Sequence, residues 1–185
     1  MLTPFSHRKD DLSMIRGRFL RTGDDLAPVF ALRNQIFCRE LRFLPTILED
    51  DADAMAIYAL VYDDGDDPSA TGRLAIENDR LCIGCVCTAP DARNQRLGDL
   101  VMRMLLVRVV EMRAPGVFAH CPKVAVAFFS RYGFRPHGPA ISVHGRPVIP
   151  MYVPLENIDI EGDCHKASSA NCQGDCAACQ AKCGG

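Results

Sequence analysis

No apolar run in this sequence approaches the roughly 18 residues that a membrane-spanning helix needs. Its first residues, MLTPFSHRKDDLSMIR, also lack the apolar block of a secretion signal. No membrane partner is expected, and a cytoplasmic location is. There is no surplus of either charge: 21 Lys and Arg against 23 Asp and Glu leave a formal net charge of −2. A nucleic acid or an anionic lipid surface would call for a basic excess, so neither is expected as a partner. Nor is there length for two full domains. With 48% of its 185 residues apolar, the chain can bury one sizeable core and carry an appendage.

Cysteine, by contrast, is plentiful. Ten cysteines in a chain without a secretion signal read as thiols or metal ligands rather than as a disulfide framework. Cys38, Cys82, Cys85, Cys87 and Cys121 lie in the apolar part, while Cys164, Cys172, Cys176, Cys179 and Cys183 crowd the last 22 residues. Residues 1–157 are therefore read as one domain and 158–185 as a cysteine-rich tail, too poor in large apolar residues to build a core.

Within the domain, RGRFLR (16–21) reads as a strand and 24–39 as a helix, with apolar positions at helical spacing behind acidic residues. AIYALVYDD (56–64) and TGRLAIEND (71–79) form a hairpin around a polar turn. RLCIGCVCTA (80–89) is an almost continuous apolar run, as a central strand covered on both faces requires. Leu97, Leu100, Val101, Met104 and Leu105 then mark a long helix ending before Pro115-Gly116. A strand over 116–121, a helix over 123–132 and two strands around 142–149 complete an α/β pattern of α+β type on a mixed sheet. Plain alternation along 82–88 puts Cys85 and Cys87 on one face and Cys82 on the other, so these thiols read as small buried apolar residues.

Between the central strand and the long helix lies a turn of basic and amide residues, Arg93, Asn94, Gln95 and Arg96, followed by Leu97, Gly98 and Asp99. A helix start gathers unpaired N–H groups and about half a positive charge, so it attracts anions, phosphate above all. Gly98 stands where the backbone would have to come close to a ligand. A diphosphate suits that corner.

IGCVCTAPDARNQRLGDLVM (83–102) and AVAFFSRYGFRPHG (125–138) together resemble the GNAT superfamily of acyl-CoA-dependent N-acyltransferases. The first stretch is similar to the family's Arg/Gln-x-x-Gly-x-Gly/Ala loop, the second to its Phe-Tyr-x-x-x-Gly-Phe helix. ALRNQIFCREL (31–41) and SVHGRPVIPM (142–151) resemble the family's first helix and closing hairpin, so the likeness spans roughly 16–154. It implies a mostly antiparallel mixed sheet flanked by helices, with a splayed central strand pair. It further implies transfer of an acetyl or other acyl group from acetyl-CoA or another acyl-CoA to a primary amine, carried by a small molecule or a peptide.

The resemblance places the pantetheine arm along Cys87, Thr88 and Ala89, the diphosphate on residues 93–99, and Phe128, Phe129 and Arg131 beside the donor. Two departures stand out: Arg96 replaces the loop's middle glycine, and Phe129 replaces the tyrosine that protonates the departing thiolate. A backbone N–H near Val86 to Thr88 is expected to polarise the carbonyl. Tyr132 is the alternative acid, and Glu40, His120 and His144 are the candidate bases. Acceptor specificity is assigned to the loops 39–55 and 136–150, where LEDDADA (48–54) could attract a cationic amine. The competing reading is a non-catalytic acyl-CoA-binding or metal- or redox-responsive regulator.

In the tail, Cys172, Cys176, Cys179 and Cys183 are spaced 4, 3 and 4 apart, one stripe of a helix. A straight helix would spread them over about 16 Å, so a single zinc could collect all four only if the helix broke. A zinc or iron–sulfur site is the functional expectation there. Disulfides or pairing across a homodimer remain alternatives.

Overall fold

A computed structural model describes residues 14–45, 48–143 and 145–160. Eight strands form one sheet: β1 (Ile15–Arg21), β2 (Ile57–Asp63), β3 (Pro68–Glu77), β4 (Arg80–Thr88), β5 (Gly116–Cys121), β6 (Arg135–Pro136), β7 (Ile141–Val143) and β8 (Arg146–Pro154). Their order is β1-β2-β3-β4-β5-β8-β6, with β7 paired to β8. Every pairing is antiparallel except β4 with β5. The helices are α1 (Ala27–Arg33), α2 (Leu97–Glu111) and α3 (Val126–Ser130).

Strand alternation sorts side chains into two layers. Tyr58, Leu60 and Tyr62 of β2 join Leu20, Val29 and Ala75 on the α1 side. Ala59 and Val61 join Ala70, Leu74 and Ile83 under Val101, Met102, Leu105, Leu106 and Val109 of α2. The α2 contact is close because Gly72 has no side chain: a Cβ there would lie 2.7 Å from Val101 Cγ1 and 3.0 Å from Leu105 Cδ1.

Several elements differ from the sequence pattern for local reasons. The helix expected over 24–39 begins at Ala27, because Asp24 and Asp25 close a turn instead, accepting from the backbone N–H groups of Arg21 and Ala27. It then widens into a π-helical segment, Asn34–Glu40, with Leu41 N–H donating to Ile36 O. The helix expected over 123–132 is α-helical only over Val126–Ser130, after a tight turn at Lys123–Ala125. It ends toward Gly133, whose φ of +92° no side chain could share, since an added Cβ would strike Asn157 O. β3 begins at Pro68, so the hairpin turn is shorter than the polar run suggested.

Alternation also fails on β4. Arg73 faces Gly84 and Thr71 faces Cys87, so three steps on β4 answer two on β3. The extra residue is a β-bulge at Cys85, which holds a φ of +52°. The bulge resets the phase: Cys82 faces Ala75 and Cys87 faces Thr71, on the same side of the sheet. The thiols of Cys82 and Cys87 therefore share a face, contrary to the period-2 expectation.

Candidate active site

β4 and β5 are joined at only two positions, Cys82 with Phe118 and Ile83 with Ala119. Beyond them the strands part, as the resemblance implied, and among the described residues the main chain of β4 from Gly84 to Thr88 pairs with no strand on its β5 side. The bulge at Cys85 starts the divergence. A non-glycine residue in the left-handed region costs about 1–2 kcal/mol, a strain that the surrounding sheet sustains.

The open edge of β4 runs into the turn 93–98. Arg96 caps α2 with a left-handed backbone, φ 62°, so it adopts the conformation that glycine would supply. No side chain caps the helix, so among the described residues the N–H groups of Leu97, Gly98 and Asp99 have no partner. These 15 residues of helix thus present a full dipole end to whatever anion arrives. Open amides at a helix start suit an anion such as a diphosphate, and Arg96 stands at that start with its Nε 3.7 Å from Asp99 Oδ2. Gly98 also eases the meeting of helix and strand, because a Cβ there would lie 3.3 Å from Thr88 Oγ1, a tight contact. Asn94 is also left-handed, and Gln95 folds back to donate to Asp91 O at 3.3 Å.

Arg93 is already engaged. Its Nη2 lies 2.6 Å from Glu40 Oε2, which ties the π-helical segment to the donor turn, and its Nε donates to Thr88 O at 3.4 Å. The Arg93 hydrogen bond holds the Glu40 carboxyl below the usual carboxylate range. Across the turn, Asp99 accepts from Tyr132 Oη at 2.5 Å and Arg131 Nη2 at 2.7 Å. Tyr132 is fully buried, and burial together with Asp99 raises its pKa well above the ordinary phenol value. Phe128 packs edge-on against Phe129 and Tyr132, and Arg131 lies 5.0 Å over its ring. Phe129 is buried.

On the α1 side of the splay lies a charged cluster. His120 occupies the first β5 position past the paired rungs, with Nδ1 3.7 Å from Glu77 Oε2. Glu77 also takes Arg73 Nη2 at 2.7 Å. Arg73, almost fully buried, reaches both Asp50 oxygens at 2.7 and 3.1 Å and Asp53 at 2.8 Å. Asp53 further binds Arg33 at 3.2 Å and accepts from Tyr58 Oη at 2.6 Å. Burial alone would raise the Asp53 carboxyl, but the hydrogen bonds from Tyr58 and Arg73 and the Arg33 charge outweigh it, so its pKa is lowered. Asp50 and Asp53, which a cationic amine could have sought in LEDDADA, are spent on internal arginines.

Burial pushes the Cys82 and Cys87 thiols up to about 12 and raises Cys85 as well, so all three stay protonated near neutral pH. Among the described residues, no three or more His, Cys, Asp and Glu side chains gather to hold a metal. His144 and the tail cysteines Cys172, Cys176, Cys179 and Cys183 lie outside the described residues. Also among the described residues, no helix is long and apolar enough to cross a membrane.

The structure therefore brings Cys87, Thr88, Arg93, Arg96, Gly98 and Asp99 to one corner, sets Tyr132 behind it on Asp99, and stands His120 at the apex of the splay. Glu40 is ion-paired with Arg93. Sequence reading passed over Arg73, Glu77 and Tyr58, and took Asp53 only as part of an acidic loop. Arg73 and Glu77 did carry a signal, since both fall on one face of a strand in TGRLAIE, where an inward charge must find a partner.

The chain matches the family model for an acetyltransferase (GNAT) domain over residues 45–155. Among solved structures, a proposed N-acetyltransferase from Lactobacillus plantarum superposes with a TM-score of 0.67 at 24% identity, covering 76% of this chain and 98% of that one. An acyl-CoA N-acyltransferase from Pseudomonas aeruginosa gives 0.66 at 21%, covering 76% and 99%. ElaA from Escherichia coli gives 0.65 at 21%, again covering 76% and 99%. At these identities the superpositions bear on the fold, which is the same in all. No curated protein sequence matches.

Proposed function

The chain belongs to the acetyltransferase (GNAT) domain family, and from that membership we propose that it transfers an acyl group from acyl-CoA to a primary amine with His120 as the base. The family draws its acyl group from acetyl-CoA or another acyl-CoA. One observation carries the donor half of this reading: the uncapped start of α2 opens beside the unpaired edge of β4, with Arg93 and Arg96 at its rim.

Arg93, Arg96 and the amides of Leu97 to Asp99 would hold the diphosphate, and the free edge of β4 at Cys87 and Thr88 would take the amide-bearing arm as a strand is taken. A β4 N–H between Val86 and Thr88 would polarise the thioester carbonyl, a donor worth roughly 10²- to 10³-fold in rate. His120, at the apex of the splay, would accept a proton from the acceptor ammonium. The freed amine nitrogen then bonds to the carbonyl carbon, the carbon–sulfur bond breaks, the nitrogen gives up its surplus proton to water, and coenzyme A leaves as a thiolate that takes its proton from water or from His120. No protein acid is required at Phe129, because a thiol is acidic enough, with a pKa of about 8.5, to depart with little help. Tyr132 is not assigned that role here, since its hydroxyl proton is committed to Asp99.

Isothermal titration with acetyl-CoA tests the donor half. Saturable binding that weakens at least tenfold in Arg93→Ala is expected; no heat from the wild-type protein, or identical affinity in Arg93→Ala, overturns it.

A further inference from the structure

Glu77 and His120 stand on β3 and β5, with β4 between them. They meet across β4 beside Gly84, which has no side chain. A Cβ built there would lie 4.0 Å from Glu77 Oε1, in ordinary contact, so the carboxylate lies next to this part of the main chain. Arg73 anchors Oε1 at 2.7 Å, which leaves Oε2 directed to His120 Nδ1 at 3.7 Å. Arg73 is pinned by Asp50 and Asp53 on Nη1 and by Asp50 on Nη2. Around Glu77 stand Arg73 on its own strand, Cys82 and Arg80 of β4, and His120 of β5. His120 first, then Arg73, hold its carboxyl below the usual range, so near neutral pH Glu77 is an acceptor only.

We propose that Glu77 is a positioning residue for acyl transfer: its Oε2 takes the Nδ1–H of neutral His120 and so leaves the Nε2 lone pair free for the acceptor's proton. The hydrogen that one imidazole nitrogen carries is set by the partner of the other. At 3.7 Å the contact is longer than a finished hydrogen bond, and such pairs tighten when substrate closes the site. The inference rests on His120 as the base.

Glu77→Gln is the informative change. Arg73 demands an acceptor, so the Gln carbonyl turns to it and the amide NH2 faces His120. An NH2 group donates to Nδ1, which forces the hydrogen onto Nε2 and blocks the proton transfer. Long-range ¹H–¹⁵N spectra of the labelled full chain at pH 8.5, where imidazoles are neutral, read the tautomer without any substrate. The expected result is Nδ1–H in wild type and Nε2–H in Glu77→Gln. With it, kcat should fall roughly 100-fold while the KM for acetyl-CoA stays put. An Nε2–H tautomer in wild type, or the same tautomer in both proteins, overturns the role of Glu77 whatever the rates do. Full kcat in His120→Ala overturns the base assignment, and the positioning role with it.

Discussion

Asp53→Asn should be among the most damaging single substitutions in the domain, and Arg33→Met, at the other end of the same ion pair, should be mild. Asp53 is the acceptor on which two guanidinium groups, a phenol and a backbone N–H converge. An Asn amide would retain one acceptor oxygen and present two hydrogens to a site already crowded with donors. Among the described residues, Arg33, fully buried, would keep only Leu48 O at 2.9 Å and the faces of Phe30 and Tyr58. Breaking a buried pair from one side leaves an uncompensated charge and costs about 3–5 kcal/mol, against a total stability of order 5–15 kcal/mol. Removing Arg33 instead leaves Asp53 with Arg73, Tyr58 and the Asp50 N–H, so the loss should stay below about 2 kcal/mol. Urea unfolding at pH 7 separates the two: with a slope of about 1–3 kcal/mol/M, Asp53→Asn should move the midpoint by 1 M or more. The folded-state pKa of Asp53 is lowered, so its contribution is fully present above the unfolded value near 3.9 and fades as pH falls through the folded one. The gap between wild type and Asp53→Asn should therefore be flat above pH 5 and close below pH 4. A cost under about 1 kcal/mol at pH 7, or an equal cost for Arg33→Met, would refute the reasoning.

Tyr132→Phe removes one hydrogen bond while Arg131 stays on Asp99, so it should cost about 1–2 kcal/mol and leave kcat for acyl transfer within a few-fold; a collapse in rate with normal folding would show that the hydroxyl serves the leaving thiolate after all. Gly72→Ala drives a Cβ into Val101 and Leu105 and should destabilise by about 1–3 kcal/mol, read as a lower Tm, with little change in acetyl-CoA affinity for the protein that remains folded.

How much of this could be read from residues alone depended on whether the signal was periodic. The apolar run 80–89 announced a central strand, and the stripe from Leu97 to Leu105 announced the helix that follows it. Between them the basic turn was visible because charge and glycine have local meanings. The bulge at Cys85 was not, since a single inserted residue leaves composition untouched and only shifts phase; that shift is what brings Cys82 to the face of Cys87. The π-helical segment was equally hidden, because Asn34–Glu40 keeps a helix-like pattern while its hydrogen bonds change span. Arg73, Asp53 and Tyr58 are ordinary residues in sequence and become a network only when β3, α1 and the 50–55 turn converge. Glu77 needed more still: its partner His120 lies two strands away, across β4.

The two-rung join between β4 and β5 has a mechanical side. It makes the sheet two ribbons, one from β1 to β4 and the other from β5 to β8, basted together at Cys82 and Ile83 and strapped by α2. The width of the cleft is therefore set by the angle at which the two ribbons diverge from that short seam, and the loops at its rim are added to an opening the sheet has already made.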